Sequence, residues 1–222
     1  MKRQYIIIDT ESNGPERWAE VWQASWQVVN EEFKTIKADG GYLPPVGRMC
    51  PTAKRITGLD RTTLKQKAES AEAVYTRLLG NLKGCQAVIG HSVDIDIERL
   101  IHDASKRCSS PLAEEIKKAF AETPYYDTMA HTMSFVGKTI ERYERCGWGK
   151  IWYTKLAYPG LGDLAYQLQI QRDDVKAHTA DGDVEITRRC LVAMSEQCPY
   201  LLEDLLAGEI ENPSTKSYWV RK

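Results

Sequence analysis

Three short stretches of this sequence place carboxylates where they could gather a hard cation. They are Asp9 and Glu11 in "IIIDTES", Asp94 and Asp96 in "VIGHSVDID", and Asp181 and Asp183 beside His178 in "AHTADGDVEIT". Mg²⁺ and similar ions take oxygen ligands, and one site rarely comes from a single segment. Asp9 and Glu11 stand two apart at the end of a β-branched apolar run, so in a strand both side chains share a face. The C-terminal end of a strand is also where open α/β sheets hold their ligands. Each stretch has a plainer reading as well. "DTES" suits a strand running into a polar turn, Asp94 suits an N-cap for the helix that follows, and acids at 181 and 183 suit the positive end of a helix.

Those acids need strands and helices to position them. "YIIID" reads as a strand, "AEVWQASWQVV" (19–29) as a second, and "NEEFK" as the turn into a third near 33–43. The prolines and glycines of "GYLPPVGRMCPTAKRITGLD" (41–60) predict a long excursion, of a length usually tied to function. Ser70 is placed to cap a helix over "SAEAVYTRLLGNL", with Val74, Leu78, Leu79 and Leu82 at helical spacing. "CQAVIGH" then reads as a short buried strand and "DIERLIHDASKR" as a helix. Further helices are predicted over 111–121, 127–138, 160–170 and 179–196. This order predicts one α/β domain with a mixed sheet over residues 1–200, followed by a C-terminal extension or tail over 201–222.

Composition narrows the class. With 222 residues and 42% hydrophobic content the chain can bury a full core. A net charge of −1 gives no global basic field, so contact with a polyanion would need a local patch or bound metal. The apolar run Tyr5 to Ile8 is too short for a signal-peptide core, and no later stretch reaches membrane-spanning length. A cytoplasmic protein without a membrane partner is the expectation. Six cysteines without a CxxC pair signal neither a zinc site nor a disulfide framework.

Taken together the motifs resemble those of the DEDDh exonucleases, the DnaQ-like branch of the ribonuclease H-like superfamily. The family's D-x-E is matched by Asp9-Thr10-Glu11, with Gly14 following. Its H-N-x-x-F-D-x-x-x-L is matched by His91-Ser92-Val93-Asp94-Ile95-Asp96 and Leu100, and its H-x-A-x-x-D-x-x-x-T by His178, Ala180, Asp183 and Thr187. "ITGLD" (56–60) and "YDTM" (126–129) resemble segments between these motifs. The register selects Asp96 over Asp94 and Asp183 over Asp181. Helix geometry agrees for the second choice, because Asp183 and Thr187 share a face, which leaves Asp181 as a solvated or capping acid. Ser92, Ile95 and Thr57 depart from the family's asparagine, phenylalanine and histidine.

The resemblance implies a ribonuclease H-like mixed five-stranded sheet flanked by helices, and a 3′ to 5′ exonuclease releasing nucleoside 5′-monophosphates. Two divalent ions, Mg²⁺ or Mn²⁺, about 4 Å apart would be held by Asp9, Glu11, Asp96 and Asp183. His178 would be the general base. The partner implied is nucleic acid, DNA or RNA, with a free 3′ end. Substrate contact is expected at Thr10, Ser92 and Leu59, the last against the terminal base. Trp148 and Lys150 join them from "GKTIERYERCGWGKIWYTK" (137–155), which interleaves cations with aromatics in a way that suits single-stranded polymer. The same stretch also reads as a solvated helix and packed loop, with Glu141 and Glu144 paired internally. Two other functions compete: a nucleic-acid-binding or scaffold protein that has lost catalysis, and an interaction module docking a protein partner through the tail "SYWVRK".

Overall fold

The computed structural model describes residues 3–147 and 149–210. In chain order the elements are β1 (Gln4–Ser12), β2 (Val21–Asn30), β3 (Thr35–Tyr42), α1 (Pro51–Thr57), α2 (Arg61–Lys67), α3 (Ala71–Leu82), β4 (Ala87–Gly90), α4 (Val93–Arg107) and α5 (Ser110–Glu122). They continue with β5 (Tyr125–Asp127), α6 (Thr128–His131), α7 (Met133–Val136), β6 (Thr139–Cys146), β7 (Gly149–Leu156), α8 (Leu161–Gln167), α9 (Ala180–Gln197), a 3-10 turn (Pro199–Leu202) and α10 (Glu203–Ala207).

Five strands form one sheet in the order β3-β2-β1-β4-β5. β2 runs antiparallel to β1 and β3, while β4 lies parallel to β1 and β5 parallel to β4. The central strand β1 is covered on both faces, which is why it reads as an unbroken apolar run. Ile6 and Ile8 pack with Val74, Leu78, Ile97 and Leu100 from α3 and α4. Tyr5 and Ile7 pack with Leu164, Val184 and Leu191 from α8 and α9. The expected mixed five-stranded sheet between helices is therefore the fold.

Ser70 caps α3 by accepting the Ala73 amide at 3.2 Å, as its spacing predicts. Asp94, by contrast, is no cap: it sits in the first turn of α4 and pairs with Arg17 at 2.7 Å. The excursion over 41–60 contains α1, and α2 follows it. Pro51 opens α1 and Gly58, at φ 71°, closes it in the left-handed region, so residues that read as breakers are helix ends. The helix predicted over 127–138 is instead two four-residue turns, α6 and α7, because "YYD" is taken into β5. The stretch 137–155 is a hairpin rather than a helix and loop, with Arg142 opposite Tyr153 and Tyr143 opposite Trp152.

The packed body continues beyond residue 200, since Leu202 and Leu205 are buried with Tyr5 and Tyr126. The tail "SYWVRK" lies outside the described residues. All six cysteines are unpaired, and among the described residues no helix is long and apolar enough to cross a membrane.

Candidate active site

The end of β1 reaches two helices at once because its side chains alternate. Asp9 and Glu11 point toward the start of α9, where the carboxylate of Asp183 meets them. Ligand oxygens of these three acids lie within 4.8 Å of one another. Thr10 points the other way, toward α4, and its hydroxyl donates to Asp96 Oδ1 at 2.5 Å. Asp96 stands outside the three-acid cluster, yet its charge is among those acting on Asp9. The strand register breaks just past the acids, between Glu11 and Ser12, and such irregularities re-aim side chains at strand ends.

The cluster holds too much negative charge for its burial. Burial first, then the charges of Asp96, Asp183 and Glu11, raise the Asp9 carboxyl well above the ordinary range, with Arg99 opposing. Burial, then Asp183 and Asp96, push Glu11 up to about 7. Asp96 is raised to about 7 by burial, which outweighs the Thr10 hydrogen bond and Arg99. Burial also raises Asp183, against the opposing hydrogen bond from His178. Carboxyls held toward their neutral forms by burial, and at Asp9 and Glu11 by neighbouring acids as well, are stabilised by a cation among them. The donors are all hard oxygens, so the set fits Mg²⁺ or Mn²⁺ better than a soft metal.

Linkage sets the sign of the pH dependence. Glu11 titrates from an ordinary value of 4.5 in the unfolded chain to about 7 in the fold, so across that window the folded state binds more protons. Stability is present below it and is lost as pH rises through it. Thermal melts in EDTA should show a falling melting temperature across this window, a shallower fall in Glu11→Gln, and recovery above it on adding Mg²⁺ or Mn²⁺. Melts indifferent to divalent ions at high pH would count against a cation site.

α9 is registered on β2 by polar side chains that interrupt an apolar strand. Gln23, Ser25 and Gln27 share one face, and each bonds to α9 or its N-terminal turn. Asp181 accepts from Ser25 Oγ at 2.5 Å and Gln23 Nε2 at 3.0 Å. Gln23 Oε1 accepts the Ala180 amide at 3.2 Å, and Gln27 Nε2 donates to Glu185 at 3.2 Å. Asp181 is thus a clip between β2 and α9 rather than merely a solvated or capping acid, bonded to the residues that pair with Asp9 and Glu11 across the strands. Sequence reasoning missed this role, although the period-2 polar residues in "VWQASWQVV" carried its signal. Gly182 is required in the first turn of α9, because a Cβ there would lie 2.0 Å from the Lys176 carbonyl oxygen.

His178 sits just before this helix at φ 59°, in a region where histidine is more common than most residues. Its backbone amide donates to Asp183 Oδ1 at 3.3 Å, and its exposed side chain is not part of the three-acid group. Arg99 was also missed. It lies three residues after Asp96 on α4, is 13% exposed and 4.0 Å from Asp96, and donates to the carbonyls of Gly14 and Glu16.

The expected substrate contacts are dispersed. Thr10 is 6% exposed and its hydroxyl donates to Asp96. Leu59, also 6% exposed, packs with Trp22, Ala53 and Leu64. Ser92 precedes α4 at φ 68°, and its amide donates to Asp127 at 2.8 Å. Lys150 lies on the hairpin with its ammonium 4.3 Å from the Tyr143 ring centre. Trp148 lies outside the described residues.

No family model and no curated protein matches this chain. Solved structures do. A structure of exonuclease I that suggests how processivity is achieved shares 18% identity at a TM-score of 0.71, over 93% of this chain and 44% of that one. E. coli exonuclease I in complex with a dA16 oligonucleotide shares 17% at 0.70, over 93% and 43%. An ExoI/SSB-Ct complex shares 17% at 0.68, over 93% and 44%. The chain spans less than half the length of these proteins. The likeness establishes the fold, the mixed ribonuclease H-like sheet with its flanking helices.

Proposed function

We propose that this protein is a divalent-metal-dependent 3′ to 5′ exonuclease acting on single-stranded nucleic acid, with DNA as the first substrate to test. The observation that carries the reading is the convergence of Asp9, Glu11 and Asp183, from opposite ends of the chain, within 4.8 Å at the end of the central strand. The exonuclease I structures with bound oligodeoxynucleotides support the choice of polymer.

In this reading Asp9, Glu11 and Asp183 would hold the metal, with Asp96, held by the Thr10 hydroxyl, as the fourth carboxylate. Bound divalent ions supply positive charge that lowers the pKa of the attacking water and offsets charge growing on the phosphate. The chain's own part is to hold four carboxylates in register: β1 fixes two, the Thr10 hydroxyl fixes the third, and the clip of Asp181 to β2 fixes the helix that carries the fourth. His178, by the motif it matches, removes the proton from the attacking water.

The test is a gel assay with 5′-labelled single-stranded DNA and RNA of matched sequence, in Mg²⁺, Mn²⁺ or EDTA, beside Asp9→Ala. The expected result is a metal-dependent ladder shortening from the 3′ end and absent in the variant. Binding without any ladder on either polymer would instead favour a scaffold that has kept the fold and lost catalysis.

A further inference from the structure

The hairpin β6–β7 contributes no side chain to the hydrophobic core among the described residues, yet it displays large aromatics to solvent. On one face Tyr143 and Trp152 are cross-strand partners with rings 5.2 Å apart, and Arg145 and Lys150 form the next cross-strand pair on that face. Tyr143 is 44% exposed and Trp152 60%. An isolated two-stranded hairpin is marginal in water, and a clustered aromatic surface rimmed by charge marks an interaction site. Charge indicates the kind of partner. Residues 137–157 carry five cations and two acids in a chain whose net charge is −1.

The arm is tied at its base to α8 and, just beyond β7, to the loop that follows β4. Its base is held by Lys138 to Asp163 at 2.6 Å and by the Ala157 amide to the Lys138 carbonyl at 2.8 Å. Two residues on, the Pro159 carbonyl lies 2.9 Å from His91 Nε2. His91 directly follows β4 and leads into α4, the helix of Asp96. A phosphate backbone repelled by the carboxylate cluster thus finds cations and stacking surfaces on an arm whose base is linked to His91, at the entry to the helix that carries Asp96.

We propose that the Tyr143–Trp152 face of this hairpin is a stacking arm for single-stranded polynucleotide, holding substrate outside the acid cluster. The proposal deepens the nuclease reading and rests on it for the nature of the polymer. Bases stack on the two rings, and Arg145 and Lys150 meet the phosphates between them. Such stacking tolerates sequence because every base offers a π face.

The experiment measures fluorescence anisotropy of a labelled oligothymidylate with the full chain in EDTA, where turnover is not needed. Trp152→Ala should bind roughly 5- to 150-fold more weakly, the scale of one stacked base, and Trp152→Phe should keep most of the affinity. Arg145→Gln with Lys150→Gln should flatten the slope of log affinity against log salt by about 1.4, at about 0.7 per phosphate contact on single strands. In Mg²⁺, a nitrophenyl ester of thymidine 5′-monophosphate, too small to reach the arm, should be hydrolysed equally by Trp152→Ala and the unaltered chain. Unchanged oligonucleotide affinity in both the alanine and the double glutamine variants would overturn the arm, including the case where Trp152→Ala instead dissolves a dimer seen by sedimentation. Weakened binding with no nuclease ladder in any protein would leave the arm standing and remove the nuclease reading; a ladder with unchanged binding would do the reverse.

Discussion

Asp183→Asn should abolish turnover while leaving the fold intact, and Asp181→Ala should weaken the fold while leaving turnover largely in place. The two acids are two residues apart on one helix and face different neighbours. Asp183 lies with Asp9 and Glu11, and its charge raises the pKa of both. Asparagine keeps its size and can still accept the His178 amide, but it removes a negative ligand. Turnover should fall by more than the roughly 10–100-fold that follows loss of an outer partner of a metal site. The melting temperature in EDTA should rise, because like-charge repulsion is relieved, and the stabilisation gained from Mg²⁺ should shrink. Asp181→Ala leaves Ser25 and Gln23 without their acceptor, at a cost of about 1 kcal/mol. Because the bonds of Gln27 to Glu185 and of Gln23 to the Ala180 amide still register α9 on β2, its turnover should stay within about tenfold of the unaltered protein, the low end for loss of an outer partner. Gel kinetics and thermal melts on the pair decide the matter. Activity kept in Asp183→Asn and lost in Asp181→Ala would reverse the assignment.

His178→Asn should slow hydrolysis by roughly 10²–10⁴-fold, the usual scale for loss of a general base, with little change in stability or in the melting shift produced by Mg²⁺. Asparagine is the better substitution here because residue 178 sits at φ 59°, and asparagine visits that region more readily than alanine. The backbone amide that donates to Asp183 survives the change. A loss of the Mg²⁺ shift along with activity would make His178 a prop for the acid site. Full activity would remove it as the base.

Parts of this architecture were legible because they rest on local rules. The apolar run before Asp9, the Ser70 cap and the helical spacing of Val74, Leu78 and Leu82 each specify their element through near neighbours, and the structure shows those elements. The parts that were not legible depend on distant ones. "YYD" is too short to signal a strand and becomes one only by pairing beside β4. The hairpin was hidden because Glu141, Arg145 and their neighbours suit helical i, i+4 pairing as well as strand alternation. Pro51 and Gly58 read as breakers until the helix between them is seen.

The same division runs through the site. By itself the sequence determined which residue types stand at the strand end and helix start, and that Asp9 and Glu11 must share a face, because the period of a strand is a property of the local backbone. Only the tertiary structure decided that Asp183 joins them while Asp181 is drawn off to Ser25 and Gln23. It also decided that Thr10 is turned onto Asp96, that Leu59 is buried, and that burial raises the pKa values of four carboxyls, with neighbouring acids adding to the rise at Asp9 and Glu11. Those outcomes are distances between segments far apart in the chain, and electrostatic repulsion, desolvation and hydrogen bonding act through such distances rather than along the sequence.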